Sequence, residues 1–131
     1  YGMTGGQMAP TTLPGQVTTT SPYGRNPMIQ GNPIRVCEMV STLDGVAYAE
    51  RVSVDCVPNI RKAKAAIKKG FEMQKNKKGQ KKGLSIIEVL STCPTNWGLS
   101  PEKSLEWLRE NMMAHYPLGV YKDISKEEEA K

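Results

Sequence analysis

The sequence predicts an α/β fold, in which a parallel sheet carries helices on its faces. Segments with the character of helix, strand, helix, strand and helix follow one another between residues 32 and 115. This alternation is typical of parallel strands joined by right-handed crossovers. Two helix-start signals support it, Asn32-Pro33 and Ser100-Pro101. The almost continuously apolar run Leu84–Thr92 favours a strand buried on both faces.

We predict three helices and two strands in this order. The first helix starts at Asn32-Pro33 and can end at Gly45, and a β-branched and aromatic strand then ends near Asp55. The second helix opens at Pro58 and extends to residue 74, and the third follows Ser100-Pro101. Each has an apolar stripe expected to face the core. The stripes are Ile34, Cys37, Val40 and Leu43 in the first helix, Ile60, Ala63, Ile67 and Phe71 in the second, and Leu105, Leu108 and Met112 in the third.

Composition limits the class of protein. The chain has 131 residues, of which 38% are hydrophobic, so it has room for one modest domain or a part of a larger one. Its start at Tyr1 rather than Met suggests a fragment. No apolar run approaches the ~20 residues that a membrane span needs. Three cysteines imply no disulfide framework, and a reducing cytoplasm is the default location.

The opening segment, residues 1–32, is unusually neutral. It contains one charged residue, Arg25, among six Gly, four Pro and six Thr. Disorder, an expression tag and backbone that lies against a ligand are three interpretations of such a segment. Under the third, the successive amides of the glycine-rich string would cradle a phosphate group.

Few side chains are candidates for chemistry. Cys93 follows the second strand and precedes Pro94, as iron–sulfur ligands often do, but without neighbouring cysteines its spacing alone favours an inert thiol. Cys37 is interpreted as a core residue and Cys56 as structural. His115 lies near the end of the last helix, where a capping or packing role is expected. No Ser/His/Asp set accompanies it, so the chain contains no complete active site.

The net charge of +5 is concentrated in a lysine run, KKGFEMQKNKKGQKK, from Lys68 to Lys82. A frayed helix end followed by a lysine-rich loop is the favoured interpretation, because arginine and stacking aromatic residues are scarce there. The alternative function is a non-catalytic basic module that binds nucleic acid or an acidic protein. We expect neither nucleic acid nor a membrane as a partner.

Four stretches together resemble one family: YGMTGGQMAPTT, TTTSPYGR, NPIRVCEMV and IIEVLSTCPTNWGLSPEKSLEW. They are similar to the C-terminal portion of the beta, thiamine-diphosphate-binding subunit of 2-oxoacid:ferredoxin oxidoreductases, in the same order. The resemblance implies that residues 1–131 are the C-terminal part of a thiamine-diphosphate-binding domain. Within it, residues 1–32 would face the cofactor and residues 122–131 would form a charged tail.

The resemblance also implies an activity. Enzymes of this family decarboxylate a 2-oxo acid oxidatively to an acyl-CoA and CO2, and the electrons pass through an iron–sulfur cluster to ferredoxin. The implied cofactors are thiamine diphosphate, Mg²⁺ and a [4Fe-4S] cluster. The implied partners are the alpha and other subunits, ferredoxin, the 2-oxo acid and coenzyme A. A cytoplasmic hetero-oligomer of anaerobic metabolism is therefore expected, and a related decarboxylase or pseudo-subunit without the cluster is a further possibility.

By the same resemblance, the residues beside the cofactor are Gly2, Met3, Thr4, Gly5, Gly6 and Gln7. Thr4 would bond a phosphate oxygen or a magnesium-bound water, and Gln7 would begin a helix. Cys93 matches the last cysteine ligand of the cluster. Arg25 would meet the substrate carboxylate or coenzyme A, or else form an interface salt bridge.

Several parts of the family pattern do not occur in this sequence. The Gly-Asp-Gly motif, the asparagine that ligates magnesium and the other cluster cysteines lie upstream in the family. We therefore expect that this chain alone binds thiamine diphosphate weakly, holds no cluster and does not turn over. No residue of the chain is assigned a catalytic role of its own.

Overall fold

The computed structural model describes residues 5–74 and 83–125 of the chain. It confirms the predicted α/β class, with a three-stranded sheet and flanking helices in the described part. In chain order the elements are α1 (Pro27–Gln30), α2 (Val36–Ser41), β1 (Val46–Ser53), α3 (Val57–Met73), β2 (Leu84–Leu90), α4 (Pro94–Trp97), α5 (Pro101–Trp107), a π-helical turn (Leu108–Met112), α6 (Met113–His115) and β3 (Gly119–Asp123).

The chain divides into two compact units. The loop unit comprises the segment up to Arg35 together with Ser91–Tyr116. It therefore holds the neutral opening segment and the third predicted helix. The sheet unit comprises Val36–Leu90 together with the segment from Pro117 onward, and it holds the three described strands.

The sheet has the strand order β2–β1–β3. β1 and β2 are parallel, as the sequence predicts. β3 is antiparallel to β1, so the prediction of a wholly parallel sheet is wrong. The predicted start of the charged tail at residue 122 is wrong as well, because Lys122 and Asp123 belong to β3. A strand of five residues that ends in two charged side chains carries too weak a pattern to be predicted.

The two predicted strands differ in burial. β1 is central, and seven of its eight residues are buried. β2 is at an edge of the described sheet, where Leu84 and Val89 keep 54% and 37% of their surface exposed. The prediction that β2 is buried on both faces is therefore wrong for the described chain. An apolar run shows that a strand can be buried, whereas its actual burial depends on the layers packed against it.

α3 matches its predicted bounds to within one residue at each end. Its buried face matches the predicted one only at Ala63, which is 4% exposed, whereas Ile60, Ile67 and Phe71 are 41%, 45% and 70% exposed. Small side chains let the helix approach the sheet instead: a Cβ atom on Gly70 would lie 3.5 Å from Ile87 Cδ1. The buried residues of α3 are Ala63, Ala66, Gly70 and Met73.

α2 starts at Val36, four residues after the predicted cap Asn32. The preceding residues are held outside the helix by other partners. The Ile34 N–H donates to the Pro10 carbonyl at 2.9 Å, and the Arg25 guanidinium donates to the Asn32 carbonyl at 3.1 Å. Of the predicted stripe, Cys37 is buried, Val40 is half-buried, and Ile34 and Leu43 are exposed.

The third helix begins as predicted, because the Ser100 hydroxyl accepts from the Lys103 N–H at 3.3 Å. α5, the π-helical turn and α6 then follow without interruption. Leu108 and Met112 are 1% exposed, which confirms their predicted burial, and Leu105 is half-buried. The π-helical turn is not predictable from apolar spacing, because its wider turn shifts the register by one residue.

Arg51, on β1, is the largest fully buried side chain of the sheet unit. It forms ion pairs with Glu38 and with Glu88, the latter at 2.8 Å. It also donates to the Tyr121 hydroxyl at 2.6 Å and to the Pro117 carbonyl at 3.2 Å. Burial alone would lower the pKa of the guanidinium, but the hydrogen bonds to the two carboxylates raise it above its ordinary value. This buried network has no counterpart in the sequence predictions.

Replacing Arg51 by methionine should destabilise the sheet unit strongly. The variant keeps an apolar stem but leaves the carboxylates of Glu38 and Glu88 without their cation. Breaking a buried ion pair from one side costs about 3–5 kcal/mol of unfolding free energy. Urea unfolding followed by circular dichroism measures this cost.

The matched control is Lys68→Met. Lys68 pairs with Glu72 at 3.8 Å, and both side chains are more than half exposed. The loss of such a surface pair changes the unfolding free energy by less than about 0.5 kcal/mol. Equal shifts of the urea midpoint in the two variants would contradict the role assigned to Arg51.

Candidate cofactor-binding site

Gly5 and Gly6 form a turn in the loop unit, with φ angles of 58° and 67°. Thr19 fixes this turn: its N–H donates to the Gly6 carbonyl at 2.9 Å, and its hydroxyl donates to the Gly5 carbonyl at 3.1 Å. Among the described residues, no atom lies within 4 Å of the position that a Cβ atom on Gly5 would take, whereas a Cβ atom on Gly6 would lie 3.1 Å from Thr19 Cγ2. The turn is thus anchored on one side and open at Gly5.

Three of the six residues expected beside the cofactor lie outside the described residues: Gly2, Met3 and Thr4. Gln7 is exposed and belongs to no helix, so the prediction that it begins one is wrong. The backbone after it is committed elsewhere, because the carbonyls of Ala9 and Pro10 accept from Arg25 at 3.2 and 2.9 Å. In a helix they would accept from amides one turn later.

Arg25 is only 5% exposed. Its guanidinium donates, at 2.8–3.4 Å, to six backbone carbonyls, which belong to Ala9, Pro10, Thr12, Gln30, Gly31 and Asn32. Its own backbone pairs with the same segment, since the Arg25 carbonyl accepts from Gly15 N–H at 2.8 Å. The expectation of a substrate, coenzyme or interface role for Arg25 is therefore replaced by a structural one. Arg25 organises the neutral segment from inside.

Cys93 and the glycine turn share one neighbour, Asn96. Asn96 Nδ2 donates to Cys93 Sγ at 3.2 Å. The same side chain borders Gly6, where a Cβ atom would lie 3.4 Å from Asn96 Oδ1. The structure thus brings together the glycine string and the Cys93 loop, which are almost 90 residues apart in sequence. Asn96 was missed because a lone amide, here between Thr95 and Trp97, gives no signal of its own.

The residues present fit the implied cofactors in part. Backbone N–H groups of glycine turns bind anions, and the described residues leave space beside Gly5 for a phosphate group. A four-iron cluster takes four thiolate ligands, and Cys93 fits as one of them. Within residues 5–74 and 83–125, no three His, Cys, Asp or Glu side chains converge on a possible metal position. The described chain therefore fits one ligand of a cluster, not a complete set.

A cleft of about 510 Å³ adjoins Asn96 in the loop unit. The two tryptophans of the chain form part of its wall, with the ring centroids of Trp97 and Trp107 4.7 Å apart. We call it the tryptophan cleft. Its lining consists of Leu13, Pro14, Gly15, Gln16, Val17, Asn96, Trp97, Leu99, Trp107 and Asn111. No charged side chain is among these lining residues.

The remaining candidates have structural surroundings. Cys37 is fully buried, and burial together with a hydrogen bond to Glu88 raises the pKa of its thiol to about 12, which confirms the core interpretation. Cys56 is half-buried at the start of α3. His115 ends α6 and contacts the Tyr116 ring edge-on at 4.8 Å. None of these contacts indicates a catalytic group.

The lysine run is only partly covered by the structure. Lys68 and Lys69 belong to α3, where Lys69 pairs with Asp123 and Lys68 with Glu72. The lysines between residues 75 and 82 lie outside the described residues, so the predicted basic surface stays a prediction. None of the helices in the described ranges combines the length and the apolar character that a membrane crossing requires.

Comparison with known proteins shows close similarity along almost the whole chain. Over 129 residues, 98% of this chain, it is 45% identical to the ketoisovalerate oxidoreductase subunit VorA of Methanothermobacter marburgensis. It is 36% identical over 133 aligned residues, again 98% of the chain, to the 2-oxoglutarate synthase subunit KorB of Methanocaldococcus jannaschii. Over 110 residues, 81% of the chain, it is 28% identical to the pyruvate synthase subunit PorB of Methanothermobacter thermautotrophicus.

The chain spans only part of each of these relatives. It covers 26% of the length of VorA, 42% of KorB and 33% of PorB. No family model matches the sequence, and no solved structure matches it. The similarity therefore concerns one segment of each of these oxidoreductase and synthase subunits.

Replacing Arg25 by lysine should loosen the opening segment. An ammonium group has three donors and no planar fork, so it cannot satisfy the six carbonyls that the guanidinium reaches. Loss of hydrogen bonds to buried acceptors costs about 1–3 kcal/mol of stability in the opening segment. Because the segment then opens more often, we expect amide hydrogen exchange at Gly15 and Gln16 to be faster by about tenfold or more. Arg35→Lys, at an exposed position, is the control and should leave this exchange unchanged. Unchanged exchange in Arg25→Lys would refute the organising role.

Proposed function

Because the aligned segment makes this chain a member of the 2-oxoacid:ferredoxin oxidoreductase subunit family, we propose that the complete protein is the thiamine-diphosphate-binding subunit of such an enzyme. It would take part in the oxidative decarboxylation of a 2-oxo acid to an acyl-CoA and CO2, with ferredoxin as electron acceptor. Other subunits of the enzyme are its partners in this proposal.

One observation carries the proposal: Asn96 joins the glycine turn to Cys93. An anion-binding backbone and a thiol ligand are the two kinds of group that a diphosphate cofactor and an iron–sulfur cluster require. Their convergence on a single side chain supports one site in which both cofactors lie close to each other. Short distances between such cofactors favour rapid electron transfer.

Each group has a definite task in this proposal. Bound thiamine diphosphate supplies the nucleophile and electron sink, and the cluster supplies one-electron transfer. The backbone at Gly5 holds a phosphate oxygen, and Cys93 ligates the cluster as a thiolate. Asn96 donates its Nδ2–H to the Cys93 sulfur, and hydrogen bonds to ligating sulfurs tune the reduction potential of a cluster.

The substrate that we propose is a branched-chain 2-oxo acid of the ketoisovalerate type. This choice is supported by the order of identities, which falls from 45% for VorA to 36% for KorB and 28% for PorB. 2-Oxoglutarate carries a second carboxylate that needs a cationic partner. Among the described residues of the candidate site, no lysine or arginine is positioned to bind it, because the guanidinium of Arg25 donates its hydrogen bonds to backbone carbonyls. A 2-oxo acid with an apolar side chain therefore suits such a site better than one with a second carboxylate.

The cofactor assignment is tested by Cys93→Ser in the complete, anaerobically purified oxidoreductase. A serine hydroxyl is a poor substitute for a thiolate, so the enzyme should lose one cluster, or about four iron atoms, together with the electron paramagnetic resonance signal of that cluster. Iron analysis and spectroscopy measure this loss without reference to activity.

Cys56→Ser is the matched control. Cys56 and Cys93 are both half-buried, both precede the first residue of a helix, and both helices have proline in the first turn. Cys56→Ser should keep the full iron content and signal. A Cys93→Ser enzyme with unchanged iron and an unchanged spectrum would refute the assignment of Cys93.

The substrate assignment is tested by comparing three acids with the complete oxidoreductase. We expect kcat/KM for ketoisovalerate to exceed that for pyruvate and for 2-oxoglutarate by about tenfold or more, because an apolar pocket rewards each added methyl group and excludes a second carboxylate. Ferredoxin reduction followed by absorbance measures the rates. A preference for either of the other acids would refute the branched-chain assignment while leaving the oxidoreductase assignment intact.

A further inference from the structure

One residue, Thr19, holds two consecutive carbonyls of the glycine turn. Its hydroxyl donates to the Gly5 carbonyl at 3.1 Å, and its N–H donates to the Gly6 carbonyl at 2.9 Å. Both glycines have positive φ angles, a conformation that side-chain-bearing residues rarely adopt. The turn therefore depends on glycine for its shape and on Thr19 for its orientation.

These two bonds fix the direction of two backbone N–H groups. In a planar trans peptide unit the C=O and N–H bonds point in opposite directions, and the described peptide bonds are trans. The Gly5 carbonyl shares its unit with the N–H of Gly6, and the Gly6 carbonyl shares its unit with the N–H of Gln7. Because both carbonyls point to Thr19, both N–H groups point away from it, side by side.

Two adjacent N–H groups with a common direction suit an anion. Among the described residues, neither the Gly6 N–H nor the Gln7 N–H has an acceptor. Gly6 is buried, and a buried backbone N–H requires an acceptor. That acceptor has to come from outside the described residues, and a phosphate oxygen meets the requirement for both N–H groups at once.

The turn is also fixed by its other neighbours. A Cβ atom on Gly6 would lie 3.1 Å from Thr19 Cγ2 and 3.4 Å from Asn96 Oδ1, so the backbone at Gly6 lies between these two side chains. The chain that leaves the turn is held by Thr20, whose hydroxyl accepts from the Met8 N–H at 2.9 Å. Donors already held in place bind a ligand at a lower entropic cost.

We propose that Thr19 is a positioning residue, which directs the backbone N–H groups of Gly6 and Gln7 at a phosphate group of the bound cofactor. Thr19 acts through the two carbonyls and does not itself touch the cofactor. The inference rests on the proposed function for the identity of the anion, whereas the direction of the N–H groups follows from the hydrogen bonds of Thr19.

The test is a calorimetric titration with thiamine diphosphate of the complete oxidoreductase, freed of this cofactor and supplied with Mg²⁺. Thr19→Val keeps the branched shape and the backbone bond to Gly6 but loses the hydroxyl that holds the Gly5 carbonyl. We expect Kd to rise by about tenfold, because the Gly6 N–H is no longer held toward the phosphate. Thr19→Ser keeps the hydroxyl and should bind nearly as tightly as the unaltered enzyme.

Thr20→Val is the matched control. Thr19 and Thr20 are both exposed, and each hydroxyl bonds to the backbone of the opening segment, but the hydroxyl of Thr20 accepts from Met8 and holds no carbonyl of the turn. Thr20→Val should therefore leave Kd unchanged. Equal weakening in the two valine variants would show a general loosening of the segment and overturn the proposal, as would an unchanged Kd in Thr19→Val.

Pyrophosphate tests which part of the cofactor is affected. It has the phosphate groups without the thiamine, so its Kd, measured by competition with thiamine diphosphate, should rise in Thr19→Val by the same factor. A rise for thiamine diphosphate alone would contradict the proposal. Iron analysis and circular dichroism verify that each variant is intact. If Thr19→Val folds incompletely, Thr19→Ser against Thr19→Ala makes the same comparison.

The outcome for the unaltered enzyme separates this inference from the proposed function. An unaltered enzyme that binds no thiamine diphosphate would overturn the proposed function and this inference with it. An unaltered enzyme that binds the cofactor, together with a Thr19→Val enzyme that binds it equally well, would overturn the positioning role alone.

Discussion

The loop unit depends on one buried cation. Residues 5–26 contain neither a helix nor an extended strand, so their backbone carbonyls cannot be satisfied by regular secondary structure. Arg25 replaces that structure with a single guanidinium, whose donors reach carbonyls on both sides of it in the chain. Arg25 thereby determines both the position of the wall of the tryptophan cleft and the late start of α2. The Gly15 N–H donates a hydrogen bond to the Arg25 carbonyl, and the Arg25 guanidinium donates one to the Asn32 carbonyl.

The sheet unit uses a buried arginine in a different way. Arg51 is neutralised by carboxylates from α2 and β2, whereas Arg25 is surrounded by carbonyl dipoles. Ion pairing makes Arg51 a cross-link between elements, and it explains why α2 needs only Cys37 as a fully buried residue. A short helix with a thin apolar face can be retained when a buried charge holds it. The low hydrophobic content of the sequence is therefore compatible with an ordered fold.

Local signals account for what the sequence predicts correctly. β1 and α3 are set by β-branched content, by a proline in the first helical turn and by a helical repeat, all of which act within a few residues. Which face of α3 is buried is not a local property: Ala63 and Gly70 face the sheet because close approach excludes larger side chains such as Ile67 and Phe71. β3 was missed for the same reason, since a short strand with charged residues is stabilised by its pairing with β1 rather than by its own pattern.

Cys56 and Cys93 show why the candidate site needs both kinds of information. In sequence the two are nearly equivalent, since each follows a strand and stands before a helix with proline in its first turn. Neither the helix start nor the exposure of the thiol distinguishes them. The difference is that Cys93 Sγ accepts a hydrogen bond from Asn96, which also borders Gly6. A long-range contact thus separates the cysteine that we propose as a cluster ligand from the one interpreted as structural, and the family resemblance only indicates where such a contact is worth seeking.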